Sequence, residues 1–382
     1  MRLGIDASNL RVGGGLTHLI ELLKTAYPEA HGITRVVVWG NQKTLNQLPV
    51  QSWLDAIHVP LLDRGLPLRL YWQRFKLPTL AKHSCDLLFV PGGNYRGSFR
   101  PFVTMYRNML LFDTGEMRRY GVSGTFLRLL LLRKAQQATF KQADALIFLT
   151  KHAQEIVQNS LGKLPGIPII IPHGVNEQFR RKPGVQKEIG EYSLARPFRV
   201  LYVSIIDLYK HQWQVVEAVA QLRNKGIPIT LDLVGSAYPP ALIRLQKAMD
   251  QADPKGEFIR YLGSVPYSEL PNLYHKGDAF VFASSCENMP NILLEAMASG
   301  LPIACSKRRP MPEILDEAGL YFDPEQPTEI AEALQTLIEQ PCLRETLAMR
   351  AYNQALNYSW ERCAKETFSF LAQVAQRVSL RD

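Results

Sequence analysis

Short apolar runs bounded by polar or glycine-containing turns recur along the whole chain. Residues 3–7, 36–39, 85–91, 102–105, 145–150 and 169–175 make one series. Residues 199–204, 230–236, 258–265, 279–283, 301–305 and 321–323 make a second. Each run is the length of one buried strand. Between them lie stretches of helical period. In 291–299 the residues Ile292, Leu293, Ala296 and Met297 share a face, and 328–339 aligns Ile330, Ala331, Leu334, Leu337 and Ile338. Strands that alternate with helices predict βαβ units and Rossmann-like parallel sheets.

The sharpest unit is 279–306. An apolar run is followed by a polar loop, 284–288, and by Pro290, a residue favoured in the first turn of a helix. Gly300 and Pro302 then stop that helix, and 301–305 reads as the next strand. Ligands of open α/β sheets bind beyond the carboxyl ends of the strands. A helix N-terminus at such an edge favours a phosphate. Two carboxylates, Glu287 and Glu295, stand in the loop and the helix. Beside a phosphate site a carboxylate suits a neutral donor such as a sugar hydroxyl. The plainer reading is two solvated carboxylates near a helix start, where acids are favoured anyway.

The segment from Glu287 to Pro302, with Asn288, Pro290, Leu293, Leu294, Glu295, Ala296, Met297, Ala298 and Gly300 at their places, resembles the E-x7-E signature of glycosyltransferase family 4. Those are retaining enzymes of the GT-B fold. The resemblance implies an α/β protein with two Rossmann-like domains facing across a donor-binding cleft. Residues 1–175 would form the acceptor domain, 176–197 a linker, and 198–359 the nucleotide-sugar donor domain. A final helix, about 360–382, would pack back onto the first domain. It also implies that Glu287 contacts the transferred sugar and that Glu295 binds the ribose hydroxyls. Lys210 matches the family's phosphate-binding lysine, and the first turn at Asn291 and Ile292 would share the diphosphate. Gly263 and Val265 would lie against the nucleobase. Gly14 and Gly15, in the glycine-rich turn before the first helix, would face the diphosphate and the acceptor. The run ending Pro172-His173-Gly174-Val175 resembles the element that closes the first domain, with Gly174 permitting a positive φ.

Two departures stand out. The family often carries a histidine near the transferred sugar, and none lies between His83 and His152; Arg107 and Asn108 occupy that region. An arginine about six residues before the lysine is also common, and here Ser204 and Ile205 stand there. Lys307, Arg308 and Arg309 are either its substitutes or a solvated basic loop.

Composition changes little. At 382 residues, with 46% apolar and 21% charged, the chain suits two globular domains. It has no apolar run of the roughly 20 residues that a membrane span requires. Its start lacks a signal-peptide pattern. Five cysteines without zinc-like spacing predict free thiols in a reducing, cytoplasmic compartment. The net charge of +9 attracts anionic partners, but no nucleic-acid motif accompanies it. Residues 64–82 and 118–141 mix basic and large apolar side chains. They read either as helices on an anionic membrane surface or as sheet-packing helices with a solvated basic face.

The expected reaction is transfer of a hexose from a UDP- or GDP-linked sugar to a hydroxyl of a cell-envelope polysaccharide or lipid-linked glycan. No cofactor is expected beyond the donor, and no metal, because no D-x-D pair is present. The alternatives are a nucleotide-sugar epimerase of the same fold and a non-catalytic protein of the membrane surface.

Overall fold

A computed structural model describes residues 1–380. Arg381 and Asp382, the tip of the expected C-terminal segment, lie outside the described residues. The chain divides into two compact units. The first comprises residues 1–117, 121–174 and the chain from Ser359 onward; the second comprises 118–120 and 175–358.

The first unit holds seven parallel strands, β1 (Arg2–Asp6), β2 (Arg35–Gly40), β3 (Leu54–His58), β4 (Leu87–Val90), β5 (Phe102–Met105), β6 (Ala145–Phe148) and β7 (Ile167–Ile170). Their order is β3-β2-β1-β4-β5-β6-β7. Leu3 pairs with Val36 on one side and with Leu87 on the other, so β1 lies inside the sheet. Its side chains from Leu3 to Asp6 are buried, which is why Leu-Gly-Ile reads as an apolar run. Strand β3 has no such run. Its five residues, Leu-Asp-Ala-Ile-His, are half-buried or exposed at the sheet edge, and hydrophobic pattern does not find it.

Residues 66–84 form one helical stretch with a wide π turn at Trp72–Lys76. The last helix, Trp360–Ser379, starts at a Ser359 cap whose side chain accepts from Arg362 N, and it packs on helix Gly14–Lys24. Gly174 is not among the glycines with positive φ, contrary to the expectation above. It is required for another reason: a Cβ there would sit 2.3 Å from Trp360 N and 2.5 Å from Ser359 C. The backbone of the last helix passes too close for a side chain.

The second unit holds six parallel strands, β8 (Phe198–Val203), β9 (Ile229–Val234), β10 (Ile259–Tyr261), β11 (Ala279–Phe282), β12 (Ile303–Ser306) and β13 (Leu320–Phe322), in the order β10-β9-β8-β11-β12-β13. β11 is wholly buried, as its unbroken apolar run requires. Helices Gln212–Asn224, Asn291–Ala298 and Pro327–Glu339 follow β8, β11 and β13. Each sheet therefore has the doubly wound order, with its direction of winding reversing between β1 and β4 and between β8 and β11.

Candidate active site

In the second unit, β8 leads outward to β9 and β10, and β11 leads the other way to β12 and β13. The carboxyl ends of β8 and β11 thus flank a gap that neither connection crosses, which is where open α/β sheets bind ligands. Lys210 comes from the loop after β8 and Glu287 from the loop after β11. Lys210 Nζ forms an ion pair with Glu287 Oε1, and the two side chains are 6% and 13% exposed. The ammonium also stands over the rings of Tyr209 and Phe282, 5.1 and 5.3 Å from their centroids.

The two loops are stitched together. Ser285 donates to Tyr209 O from its N (2.9 Å) and from its hydroxyl (3.2 Å). His211 Nε2 lies 2.9 Å from Ser285 Oγ, and the Tyr202 hydroxyl donates to Lys210 O at 2.6 Å. His211 adopts a left-handed backbone, φ 54°, immediately before helix Gln212–Asn224. A strained turn of this kind persists only where its surroundings hold it, and it fixes the Lys210 backbone. Burial, with Arg119 nearby, pushes the His211 imidazole down to about 4, so it is neutral at pH 7. The loop 284–288, polar by sequence, is packed rather than solvated: Ser284, Cys286 and Asn288 are buried.

Helix Asn291–Ala298 begins without a side-chain cap, because Pro290 stands at the N-cap. The first intrahelical bonds are those of Leu293 and Leu294 to Pro290 O. The N–H groups of Asn291 and Ile292 precede them, at the positive end of the helix dipole. Asn291 Oδ1 is buried without a hydrogen-bond partner among the described residues. Glu295, one turn further, is 4% exposed. Tyr274 donates to its Oε2 at 3.1 Å and Tyr267 to its Oε1 at 3.3 Å. Burial raises this carboxyl to about 7 against the pull of the two phenol hydrogen bonds.

Gly263 has φ 66° and its carbonyl accepts from Gly235 N at 2.8 Å. Val265 is half-buried two residues before Tyr267, so this loop runs on to the side chain that meets Glu295. The alternative cations Lys307 and Arg308 are already matched: Lys307 pairs with Asp323 and Glu329, and Arg308 with Asp323 and Glu325.

In the first unit, Arg107 Nη2 donates to Gly14 O at 2.7 Å and Nη1 to His18 Nδ1 at 2.8 Å. A Cβ on Gly15 would lie 3.6 Å from Arg107 Nε. Arg107, Gly14 and Gly15 therefore form one cluster at the start of helix Gly14–Lys24. Burial lowers the Arg107 guanidinium to about 10 and holds His18 far below its ordinary range. A neutral His18 that accepts at Nδ1 carries its proton on Nε2. Asn108 is exposed, precedes the short helix Met109–Leu111, and takes no part in this cluster.

Sequence reading did not find Tyr267, Tyr274 or Tyr202 as parts of the second-unit site. The Glu295 contacts span 28 and 21 residues, beyond any local spacing rule.

Residues 187–354 match the family glycosyl transferases group 1. The match runs through all six strands of the second sheet and includes Lys210, Glu287 and Glu295. Over 112 residues, 29% of both chains, the sequence is 37% identical to O-antigen chain mannosyltransferase B of Escherichia coli. Over 243 residues, 61% of this chain and 58% of the relative, it is 24% identical to D-inositol 3-phosphate glycosyltransferase of Corynebacterium jeikeium. The chain thus spans less than two thirds of the length of these curated relatives. Anabaena Alr3699/HepE, solved in complex with UDP and glucose, has a TM-score of 0.67 over 99% of both chains at 18% identity. At that identity the likeness shows the fold, the GT-B architecture.

Proposed function

We propose that the protein is a retaining glycosyltransferase of the family 4 type. It moves a hexose from a UDP- or GDP-linked sugar to a hydroxyl of a cell-envelope polysaccharide or lipid-linked glycan. The observation that carries this is the Lys210–Glu287 pair at the reversal point of the second sheet, with the uncapped helix start at Asn291 and the buried Glu295 beside it. The group 1 match over this segment, the relatives' names and the UDP bound to the Anabaena protein support it.

In this reading Lys210 and the N–H groups of Asn291 and Ile292 take the diphosphate. The bond between the anomeric carbon and the phosphate oxygen breaks, and its electron pair leaves with the nucleoside diphosphate. The acceptor oxygen bonds to the same carbon on the same face, and its proton passes to a departing phosphate oxygen. The chief demand is stabilisation of leaving-group charge, which a fixed ammonium and a helix N-terminus meet without a metal. Glu287 orients the sugar hydroxyls. Glu295 accepts from the ribose, and Gly263 and Val265 flank the base. In the first unit Gly14, Gly15 and Arg107 are assigned to substrate binding, with Asn108 next to Arg107 in the chain.

We also assign residues 64–82 to an anionic membrane surface. Leu66, Tyr71, Phe75 and Leu80 are exposed among Arg64, Arg74, Lys76 and Lys82, and Arg74 lies over the Phe75 ring. Apolar side chains interleaved with cations are what binding to such a surface needs. Among the described residues no helix is long and apolar enough to cross a membrane.

The test is thermal stability of wild type and Glu295→Ala against a panel of UDP- and GDP-sugars. A ligand at 100 times its dissociation constant stabilises a fold by about 2.7 kcal/mol. The expected result is a melting shift with sugars of one base, lost in the variant. A flat response of wild type to every nucleotide sugar would sink the reading.

A further inference from the structure

The polar stretch 176–183, the start of the expected linker, is folded onto the second unit. Asn176 Oδ1 accepts from Gln178 N at 3.1 Å and starts the short helix Glu177–Phe179. Beyond it, Arg181 N donates to Ala298 O at 2.9 Å, and Ser299 Oγ donates to Phe179 O at 3.1 Å. A Cβ on Gly300 would lie 2.6 Å from Arg181 O and 2.7 Å from Pro183 N, so the two backbones touch. The stretch is thereby fixed to the end of helix Asn291–Ala298, the helix that carries Glu295.

Phe179 is fully buried in this contact. Its ring centroid lies 5.4 Å from that of Tyr267 and 5.6 Å from that of Tyr274, at interplanar angles of 64° and 90°. These are the two phenols that donate to Glu295, one to each carboxylate oxygen. Edge-to-face packing fixes the orientation of a ring as well as burying its area. Orientation matters here because the Tyr274 hydroxyl has one proton and two acceptors, Glu295 Oε2 at 3.1 Å and Ile292 O at 3.3 Å. A small turn of that ring moves the proton from the carboxylate to the helix backbone. Burial, with Glu295 beside it, holds the Tyr274 phenol well above its ordinary range, so it keeps its proton and remains a donor. Among the described residues, the titratable groups hydrogen-bonded to Glu295 are these two phenols. His275, the residue after Tyr274, feels Arg181 and the Phe179 backbone.

We propose that Phe179 is a positioning residue, which holds Tyr267 and Tyr274 in the orientation that aims and shields the Glu295 carboxylate. It acts through the two phenols. The stretch 176–183 and Glu295 are then parts of one packed assembly, and a change in that stretch is felt at the carboxylate. That Glu295 is aimed at the hydroxyls of a nucleotide ribose rests on the glycosyl-transfer reading; the coupling of Phe179 to Glu295 does not.

The experiment uses the full chain and two measurements. The first is made without ligand. The rise in melting temperature that Glu295→Gln brings at pH 8 reads the penalty on the buried charge. It is compared in wild type, in Phe179→Leu and in Phe198→Leu, which trims another fully buried ring, on β8. Loss of the Phe179 ring lets water reach the carboxylate, so the penalty shrinks. The expected result is a rise cut to half or less by Phe179→Leu and unchanged by Phe198→Leu. An equal rise in Phe179→Leu and wild type overturns the proposal. Should Phe179→Leu not fold, Phe179→Met, whose flexible side chain fills irregular space, takes its place under the same criterion. The second measurement titrates UDP and GDP against their 2′-deoxy forms at pH 8. Wild type is expected to bind the ribonucleotide of one base at least ~10-fold tighter than its deoxy form, the worth of a hydrogen bond to a charged group. Phe179→Leu should narrow that preference at least threefold, and Phe198→Leu should leave it unchanged. A preference kept in full by Phe179→Leu removes Phe179 from donor binding. If wild type binds neither nucleotide, the transferase reading fails, and the ligand-free comparison still decides whether Phe179 positions Glu295.

Discussion

Lys210 and Glu287, 77 residues apart in the chain, meet as a nearly buried ion pair where the second sheet reverses its winding. Each partner holds the other's charge in a place poor in water. Removing one leaves a buried charge alone, at a cost of about 3 kcal/mol. Lys210→Met and Glu287→Met should each lower the unfolding free energy by that amount in urea titrations, and the double variant should lose less than the sum. Each single variant should also lower transfer from a nucleotide sugar by at least ~100-fold. Additive losses in the double variant would show that the pair is not coupled.

Glu295 sets a pH dependence. Its folded-state value is about 7, raised from 4.5 by burial. The sign follows: the protonated carboxyl contributes stability that is fully present below pH 4.5 and is lost as pH rises through 7. Glu295→Gln should therefore match wild type near pH 4 and exceed it by about 3 kcal/mol at pH 8 in the absence of ligand. Thermal unfolding across that range reads the difference directly.

Donor binding should run the opposite way. Ribose hydroxyls donate to an ionised carboxylate, so wild-type affinity for the nucleotide sugar should rise about tenfold from pH 6 to pH 8. Glu295→Gln should bind weakly and without that rise. An unchanged wild-type affinity over the interval would remove Glu295 from the donor site.

Gly174 is confined by backbone rather than by side chains, with Trp360 N 2.3 Å from the place a Cβ would occupy. A main-chain atom cannot move aside alone. Gly174→Ala should cost about 3 kcal/mol, measured by denaturant midpoint, and Gly162→Ala should cost less, since a Cβ there meets nothing within 4 Å and only its φ of 74° opposes the change.

The exposed apolar side chains of 64–82 make the membrane assignment testable. Leu66→Glu with Phe75→Glu, at residues 54% and 58% exposed, should leave the melting temperature unchanged. The same double variant should lower co-sedimentation with anionic vesicles at least fivefold. Undiminished sedimentation would refute the assignment.

Much of the fold was readable along the chain, and the misses share a cause. Strands such as β4, β6 and β11 stand out as apolar runs because a strand covered on both faces has no polar positions to interrupt it. β3 lies at an edge and keeps its side chains half in solvent, so Leu-Asp-Ala-Ile-His carries no such signature. Helix Pro341–Ala355 hides a fully buried Arg344, whose guanidinium donates to Leu337 O and Ile338 O at 2.6 Å. An arginine in that pattern reads as surface until the carbonyls that receive it are placed.

By itself the sequence determined the alternation of strand and helix, the loops at strand ends, and the identity of Lys210, Glu287 and Glu295 as candidates. These follow from local period and from a dense motif, both recorded over a few residues. Only the tertiary structure decided that Lys210 touches Glu287, that Tyr267 and Tyr274 cover Glu295, and that Arg69 reaches Asn9. Those contacts depend on strand order and on which loops share a sheet edge. Strand order is set by the packing of the whole sheet, so no local stretch of sequence encodes it.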